Sequence, residues 1–450
     1  MIKKTKLVIF FLIFLLSINC SFDNKTGIWS GGEEEKERIA ELEKNQKSKI
    51  RTVKVYSSEN IYKEEISYNK SINLSKPKAN SSWKSSNLNL QNFTGNIYLS
   101  GISNNFLKKK IGKNKFALSK ITSPPLIYND NIIITDDTGS IFSINQQGKI
   151  NWKKNIYKKI YKKIYKNLSL SINERVIYAS DNVGFVYAIN LTNGEILWIK
   201  NHGTPLKSNI KVFKNKIFVI NQDNRILCLD TKDGSLIWDI RATPSFIKSQ
   251  NFLALAISKE GDLVTLNSAG DLIKAKTTNG KIYWYLNATG SLLAHDTDFF
   301  ESSQIVINRN DIIFSTTSST FSFNLSSGSV QWIKDINSQN APIIDGNNIF
   351  LISNNGYLIN LDRSTGEIIR SINILKVLKK KKRITRVTGF VMGSGKIYAT
   401  TLNGYLIVCS AGSGNVEYFK KIGNAITAAP IISNGSLYIL TKKSKIFGFN

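Results

Sequence analysis

The chain has little with which to do metal or thiol chemistry. Its 450 residues hold three cysteines and two histidines, and no two cysteines are adjacent. Cys228 and Cys409 sit in apolar strand-like runs (Ile226-Leu-Cys-Leu-Asp230 and Leu406-Ile-Val-Cys-Ser410), where a small buried side chain fits and no thiolate is called for. His202 and His295 stand in loop sequence without spaced partners. A metal site needs three or four convergent ligands, so neither a metal nor a catalytic set is expected, and no cofactor. Helical periodicity is also missing. Apolar positions alternate with period two, which excludes a helical solenoid. Long apolar runs are confined to Leu7–Leu16, roughly 10–12 residues and too short at ~1.5 Å each to cross a ~30 Å hydrocarbon core. Acidic residues are outnumbered, 32 to 61, for a net charge of +29.

The first twenty residues supply a context. Lys3, Lys4 and Lys6 precede the apolar run, which ends Ser17-Ile-Asn-Cys20. A basic start, a short apolar stretch and a cysteine just beyond it resemble a bacterial lipoprotein signal, with Ser17 and Asn19 in place of the usual leucine and small residue. The resemblance makes Cys20 the lipid-attachment residue of an exported protein, and Ser21 in place of aspartate points to the outer membrane. Residues 21–80 read as a flexible tether, with a charged stretch from Glu33 to Lys49.

One phrase then recurs. Its fullest form is Gly184-Phe-Val-Tyr-Ala-Ile-Asn-Leu-Thr-Asn-Gly194-Glu-Ile-Leu-Trp198, a strand, an Asn/Gly turn and a second strand. The turn glycine returns at Gly148, Gly194, Gly234, Gly280, Gly328, Gly366 and Gly414, at intervals of 38 to 48 residues. Four residues later stand Trp152, Trp198, Trp238, Trp284 and Trp332, then Arg370 and Tyr418. Each unit opens with two further short strands, as in Ala341-Pro-Ile-Ile followed by Asn348-Ile-Phe-Leu-Ile352. Four antiparallel strands per unit is the pattern of a propeller blade. The last unit stops at Asn450, one strand short, and Phe106–Gly112 has the place of the missing strand just before the first full unit. The expected fold is therefore all-β, an eight-bladed β-propeller over residues 81–450 with its last blade closed by an N-terminal strand. The tryptophans are expected between blades.

Spacing is uneven in one place only. Four segments between the end of one blade and the start of the next, after Trp152, Trp238, Trp284 and Arg370, are six to ten residues longer than the others. Strands alternate in direction, so all of these crossovers emerge on one rim, where long loops on a rigid scaffold mark a functional face. Two are basic. Lys153–Lys166 repeats Ile-Tyr-Lys-Lys, which as a helix would set an Ile/Tyr stripe against lysines, and Lys379–Arg383 is a run of cations. An anionic lipid surface and an acidic protein surface both remain open as partners. Nucleic acid does not, because the lysines are dispersed and an exported protein does not meet the genome.

The repeat over residues 95–450 resembles that of the PQQ-type, or quinoprotein-like, eight-bladed propellers. Some members are quinone-dependent dehydrogenases, but the adjacent cysteine pair often found there is missing. Ala288-Thr-Gly-Ser291 followed by His295-Asp296-Thr-Asp298, with Pro244-Ser-Phe246-Ile247-Lys248 in the preceding crossover, is similar to two loops of the BamB family. These are lipoprotein propellers of the outer-membrane β-barrel assembly machinery. The resemblance implies a non-enzymatic scaffold at the periplasmic face of the outer membrane, assisting barrel insertion and guiding unfolded clients. It implies that Phe246, Ile247 and Lys248 contact a POTRA domain of the barrel-inserting subunit, with Asp296 and Asp298 ordering the neighbouring loop. The alternatives are a PQQ-dependent dehydrogenase and an envelope propeller that binds a ligand in its central channel.

Overall fold

The structure is a computed structural model. It describes residues 21–22, 29–30, 37, 64–67, 72–116, 122–161, 163–243, 253–287, 302–382 and 384–450. Contacts divide the chain into residues 1–60 and 61–450. In the first unit Ser21–Phe22 pairs antiparallel with Trp29–Ser30.

In the second unit eight antiparallel sheets form a ring, an eight-bladed propeller. Blades 1 to 7 are continuous in sequence, over 126–155, 168–201, 211–241, 254–287, 306–334, 343–373 and 387–421. Blade 8 takes three strands from 431–449 and its fourth from Asn105–Lys110. The closure expected from the missing strand is present, and Asn104 and Asn450 exchange backbone hydrogen bonds of 3.0 Å across the seam. Closure leaves the ring without a free end, which removes the open edge that a three-stranded blade would present.

First strands of successive blades touch around the axis, and fourth strands form the outer wall. Between the third and fourth strands every blade shifts register by one residue, beside the position of the repeat's aromatic. Directly across from Trp152, Trp198, Trp238 and Trp332 stand Ser143, Ala188, Cys228 and Ser322, residues small enough to leave room for an indole. The ring then reaches the next blade. A Cβ added at Gly194 would lie 2.5 Å from the Trp152 ring, and Gly234, Gly280, Gly328 and Gly366 meet Trp198, Trp238, Trp284 and Trp332 in the same way. The glycine is required twice over, by this contact and by a positive φ of 74° at Gly194. Four of the five indoles also donate Nε1–H to the carbonyl three residues before the glycine they cover, Trp152 to Leu191 at 2.8 Å, Trp198 to Thr231 at 3.0 Å, Trp284 to Leu325 at 3.1 Å and Trp332 to Arg363 at 2.9 Å. Trp238 Nε1 is buried without an acceptor.

The exceptions follow from the seam. In blade 6 the stem of Arg370, with Ile372, packs on Gly414. Tyr418 of blade 7 is 43% exposed, because the fourth strand of blade 8 comes from Asn105–Lys110 and no glycine turn joins it to the third. Leu107 on the closing strand covers Gly148 of blade 1.

Cys228 and Cys409 are fully buried free thiols, and burial pushes both up to about 12. A thiol so placed is little ionised and unreachable. Neither is expected to take up iodoacetamide in the folded protein, while both do in denaturant; mass spectrometry of the alkylated chain checks this.

Residues 72–104 are not a mere lead-in. They run across one end of the ring and bond to the first strand, or to the turn that follows it, in every blade. Trp83 exchanges backbone bonds with Ile127 of blade 1, and Lys84 accepts from Ile172 of blade 2. Leu90 and Gln91 accept from Ile257 of blade 4 and Ile307 of blade 5, Ile97 bonds Met392 and Ser394 of blade 7, and Ser100 and Asn80 bond Gly435 and Asn434 of blade 8. Blade 3 is held by the Lys211 side chain, and blade 6 by Asp345, which accepts from the Ser75 amide at 2.8 Å and from its hydroxyl. Asn92 Nδ2 adds 3.0 and 2.7 Å bonds to Leu255 and Ile305 carbonyls. First strands have one unpaired edge facing the axis, and this polar plug satisfies it. Farther out, Ile66–Ser67 pairs antiparallel with Arg370–Ser371 as a fifth strand on blade 6.

Candidate functional face

The eight crossovers share the end of the ring opposite the plug, as strand alternation requires. An axial cavity of about 170 Å³ opens on this face. Its walls come from the segments that lead into the first strands, and its floor is Trp83, Ser86, Asn87 and Asn92 of the plug. Amides dominate it (Asn167, Asn182, Asn209, Gln304, Asn340), and of the described lining residues only Lys207 carries a charge. Among the described residues no three His, Cys, Asp or Glu side chains gather as metal ligands. His202 is half-buried, and burial together with Lys200 holds its imidazole below the usual range.

Cys20, Phe246, Ile247, Lys248, Asp296 and Asp298 all lie outside the described residues, as do the remainder of Pro244–Lys248 and Ala288–Ser291. What the structure does place is the roots of the two loops. The crossover from blade 3 to blade 4 leaves at Thr243, and that from blade 4 to blade 5 leaves at Asn287. Both roots converge on Asp271, a fully buried residue at the start of blade 4's third strand. Its carboxylate accepts from the Thr243 amide at 2.9 Å and from Asn287 Nδ2 at 2.7 Å, and the Tyr285 hydroxyl donates to it. The Tyr285 and Thr243 hydroxyls are 2.8 Å apart. One carboxylate thus ties the bases of both loops together. The sequence did offer a signal for Asp271: the residue that opens the third strand is Ser, Phe, Arg, Thr, Tyr or Lys in the other blades, and an acid in blade 4 alone.

The basic crossovers are described, and one differs from the helical stripe expected of it. Among the described residues between blades 1 and 2 only Lys159–Tyr161 is helical, as a single 3-10 turn. The tyrosines turn inward: Tyr157 meets Tyr187, Tyr161 meets Phe185 and Tyr165 meets Phe116, all edge-on at centroid distances of 5.8–6.0 Å. Tyr157 also donates to Asp181 Oδ2 at 2.5 Å, and burial with that carboxylate pushes its phenol far above the ordinary range. Ile156 is buried, while Ile160 is 80% exposed and Ile164 is exposed too. Aromatic partners on blade 2, not the four-residue period, decide which side faces in. Between blades 6 and 7, Ile374–Val377 and Lys380–Lys382 are short 3-10 turns. Ile374, Leu375 and Leu378 anchor this loop, Leu375 against Gly356, and leave Ile384 92% exposed at its tip.

Eight four-stranded blades, indole-on-glycine contacts between them and a strand-swapped seam define an eight-bladed β-propeller. Comparison with known proteins narrows this. The family profile described as "Outer membrane protein assembly factor BamB" matches residues 174–372. The outer membrane protein assembly factor BamB of Escherichia coli is 20% identical over 335 residues, covering 62% of this chain and 83% of its own length. An uncharacterised protein of Rickettsia conorii is 24% identical over 377 residues, 78% of this chain and 88% of its own. Among solved structures, BamB from Moraxella catarrhalis superposes with a TM-score of 0.60 at 13% identity, covering 76% of this chain and 98% of that one. A europium-containing methanol dehydrogenase superposes with a TM-score of 0.64 at 11% identity, covering 80% and 89%, and this likeness is one of fold. Together these matches support a BamB-like, PQQ-type propeller.

Proposed function

We propose that the chain is a non-enzymatic scaffold lipoprotein of the outer-membrane β-barrel assembly machinery, anchored through Cys20 at the periplasmic face of the outer membrane. The observation that carries this reading is the BamB match, which spans the blades whose crossovers hold the two partner loops. On this reading Phe246, Ile247 and Lys248 dock on a POTRA domain of the barrel-inserting subunit. Asp296 and Asp298 order the adjacent loop, Asp271 holds the two loops at a fixed spacing, and unfolded outer membrane proteins are the clients. A rigid ring with its loops gathered on one rim suits docking, since the backbone need not rearrange to bind.

Co-purification from detergent-solubilised envelopes tests the proposal. The parent chain is expected to retain the barrel subunit, and Phe246→Asp/Lys248→Glu to lose most of it while keeping its folded circular dichroism. Equal retention by both, or by neither, overturns the assigned loops. The dehydrogenase reading predicts quinone-dependent dye reduction with added calcium, and the expected result is none.

A further inference from the structure

The two basic crossovers have no part in the docking just proposed. They flank the seam, one between blades 1 and 2 and the other between blades 6 and 7, across the ring from the loops around blade 4. From Ile150 to Asn173 the chain has no acidic residue, and from Ile368 to Val416 it again has none. Lys158, Lys159 and Lys163 are exposed on the first loop, Lys379 and Lys380 on the second. On the arc between them, on the same face, Lys421 ends the fourth strand of blade 7 and Lys443 sits in a turn of blade 8, both exposed.

Charge alone would make a solvated face. The second feature is that each loop raises an isoleucine into solvent, Ile160 at 80% and Ile384 at 92% exposure. Both loops are anchored from below, by the tyrosine contacts and by Ile374, Leu375 and Leu378, so the exposed tips are held in place and not merely uncollapsed. Isolated apolar tips ringed by lysine are suited to the boundary between anionic headgroups and acyl chains.

A third feature fixes direction. Strand Ile66–Ser67 runs antiparallel to Arg370–Ser371, so the chain coming from the N-terminus reaches the propeller at the crossover end of blade 6. Glu65 is held there, bonded to the Asn373 amide at 3.3 Å and paired with Lys376 at 2.8 Å, at the base of the second basic loop.

We infer that the seam side of the crossover face, through Ile160, Ile384 and the lysines around them, lies on an anionic lipid bilayer. The ring would then stand with blades 7, 8 and 1 toward the membrane and the loops around blade 4 on the opposite side.

The test uses the full chain inserted into vesicles by its own N-terminus, so attachment itself is common to every sample. An environment-sensitive fluorophore is placed at Ile160→Cys, at Ile384→Cys and, as control, at Asn215→Cys in an exposed turn on the plug end. Cys228 and Cys409 are buried, and Cys20 has its sulfur taken up by the lipid in the anchored form proposed above, so only the introduced cysteine is labelled. On phosphatidylglycerol-containing vesicles with quencher-bearing acyl chains, labels at 160 and 384 are expected to be quenched roughly twofold or more over the label at 215, and salt or Lys158→Glu/Lys159→Glu/Lys163→Glu is expected to abolish this at 160. Equal quenching at all three positions overturns the inference. So does a shift produced by soluble poly-glutamate with no quenching from lipid, which assigns the face to an acidic protein. No barrel subunit is present, so the result is independent of the docking proposal.

Discussion

Replacing Trp152 with alanine is expected to cost about 3–5 kcal/mol of unfolding free energy, the range for truncating a buried aromatic. The indole is 9% exposed, fills the gap over Gly194 and donates to Leu191 at 2.8 Å. Gly194 cannot grow to fill the space, because its positive φ excludes a larger residue without strain. Removal therefore leaves a cavity between two blades and an unfilled carbonyl. Trp238→Ala is the internal comparison. It vacates the same kind of contact over Gly280, but its Nε1 has no acceptor to lose and the residue is less buried. The expected loss is smaller by about 1 kcal/mol, the worth of one hydrogen bond. Urea unfolding followed by circular dichroism reads both, and equal losses would show that the donor contributes nothing beyond the ring's area.

The glycine–tryptophan spacing carried most of the architecture because both partners of one physical contact recur five times around the ring. Blade count, strand order and the closing strand at Asn105–Lys110 followed from it, as did the rim on which the crossovers gather. What the repeat could not show was anything made once. The plug over residues 72–104 has no period, and what its Ser and Asn residues are for shows only in the strand ends they bond. Trp83, the one tryptophan beyond the repeat and its N-terminal tether, was the available signal: a buried indole outside the blades has to pack on something. The Ile-Tyr-Lys-Lys loop shows a different limit. A four-residue period implies a helix only when nothing else competes, and Phe185 and Tyr187 on the next blade bind the tyrosines more strongly than a helix would. The proposed contact residues Phe246 and Lys248 rest on resemblance alone, since they belong to no repeat and no local pattern.

Lys211→Met is expected to remove a pH dependence of stability that the parent chain shows between about 7 and 10.5. Lys211 lies on the first strand of blade 3, wholly buried, with Nζ 2.6 Å from Asn92 Oδ1 and 2.6 Å from the Asn89 carbonyl. Burial alone, with no acidic side chain opposing it, pushes the ammonium down from 10.5 to about 7. Unfolded, the side chain keeps its proton up to 10.5, so across this window the unfolded state binds the extra proton and stability rises with pH. The slope from this one group is at most about 1.4 kcal/mol per pH unit. The parent carries 61 cationic side chains whose mutual repulsion also relaxes on titration, so only the difference between parent and variant isolates Lys211. The methionine keeps most of the stem's volume but leaves Asn92 Oδ1 without a donor, which costs about 1–3 kcal/mol if no water enters, while the Asn89 carbonyl keeps the Asn92 amide at 3.3 Å and the Ser85 hydroxyl at 3.4 Å. The same bonds fasten the plug to blade 3, so hydrogen exchange at Asn89–Asn92 is expected to quicken in Lys211→Met while the Trp332 contact between blades 5 and 6 is unchanged. Parallel pH profiles in the two proteins would mean that Lys211 keeps its proton in the fold, and that the plug is held there by an ammonium among three oxygens.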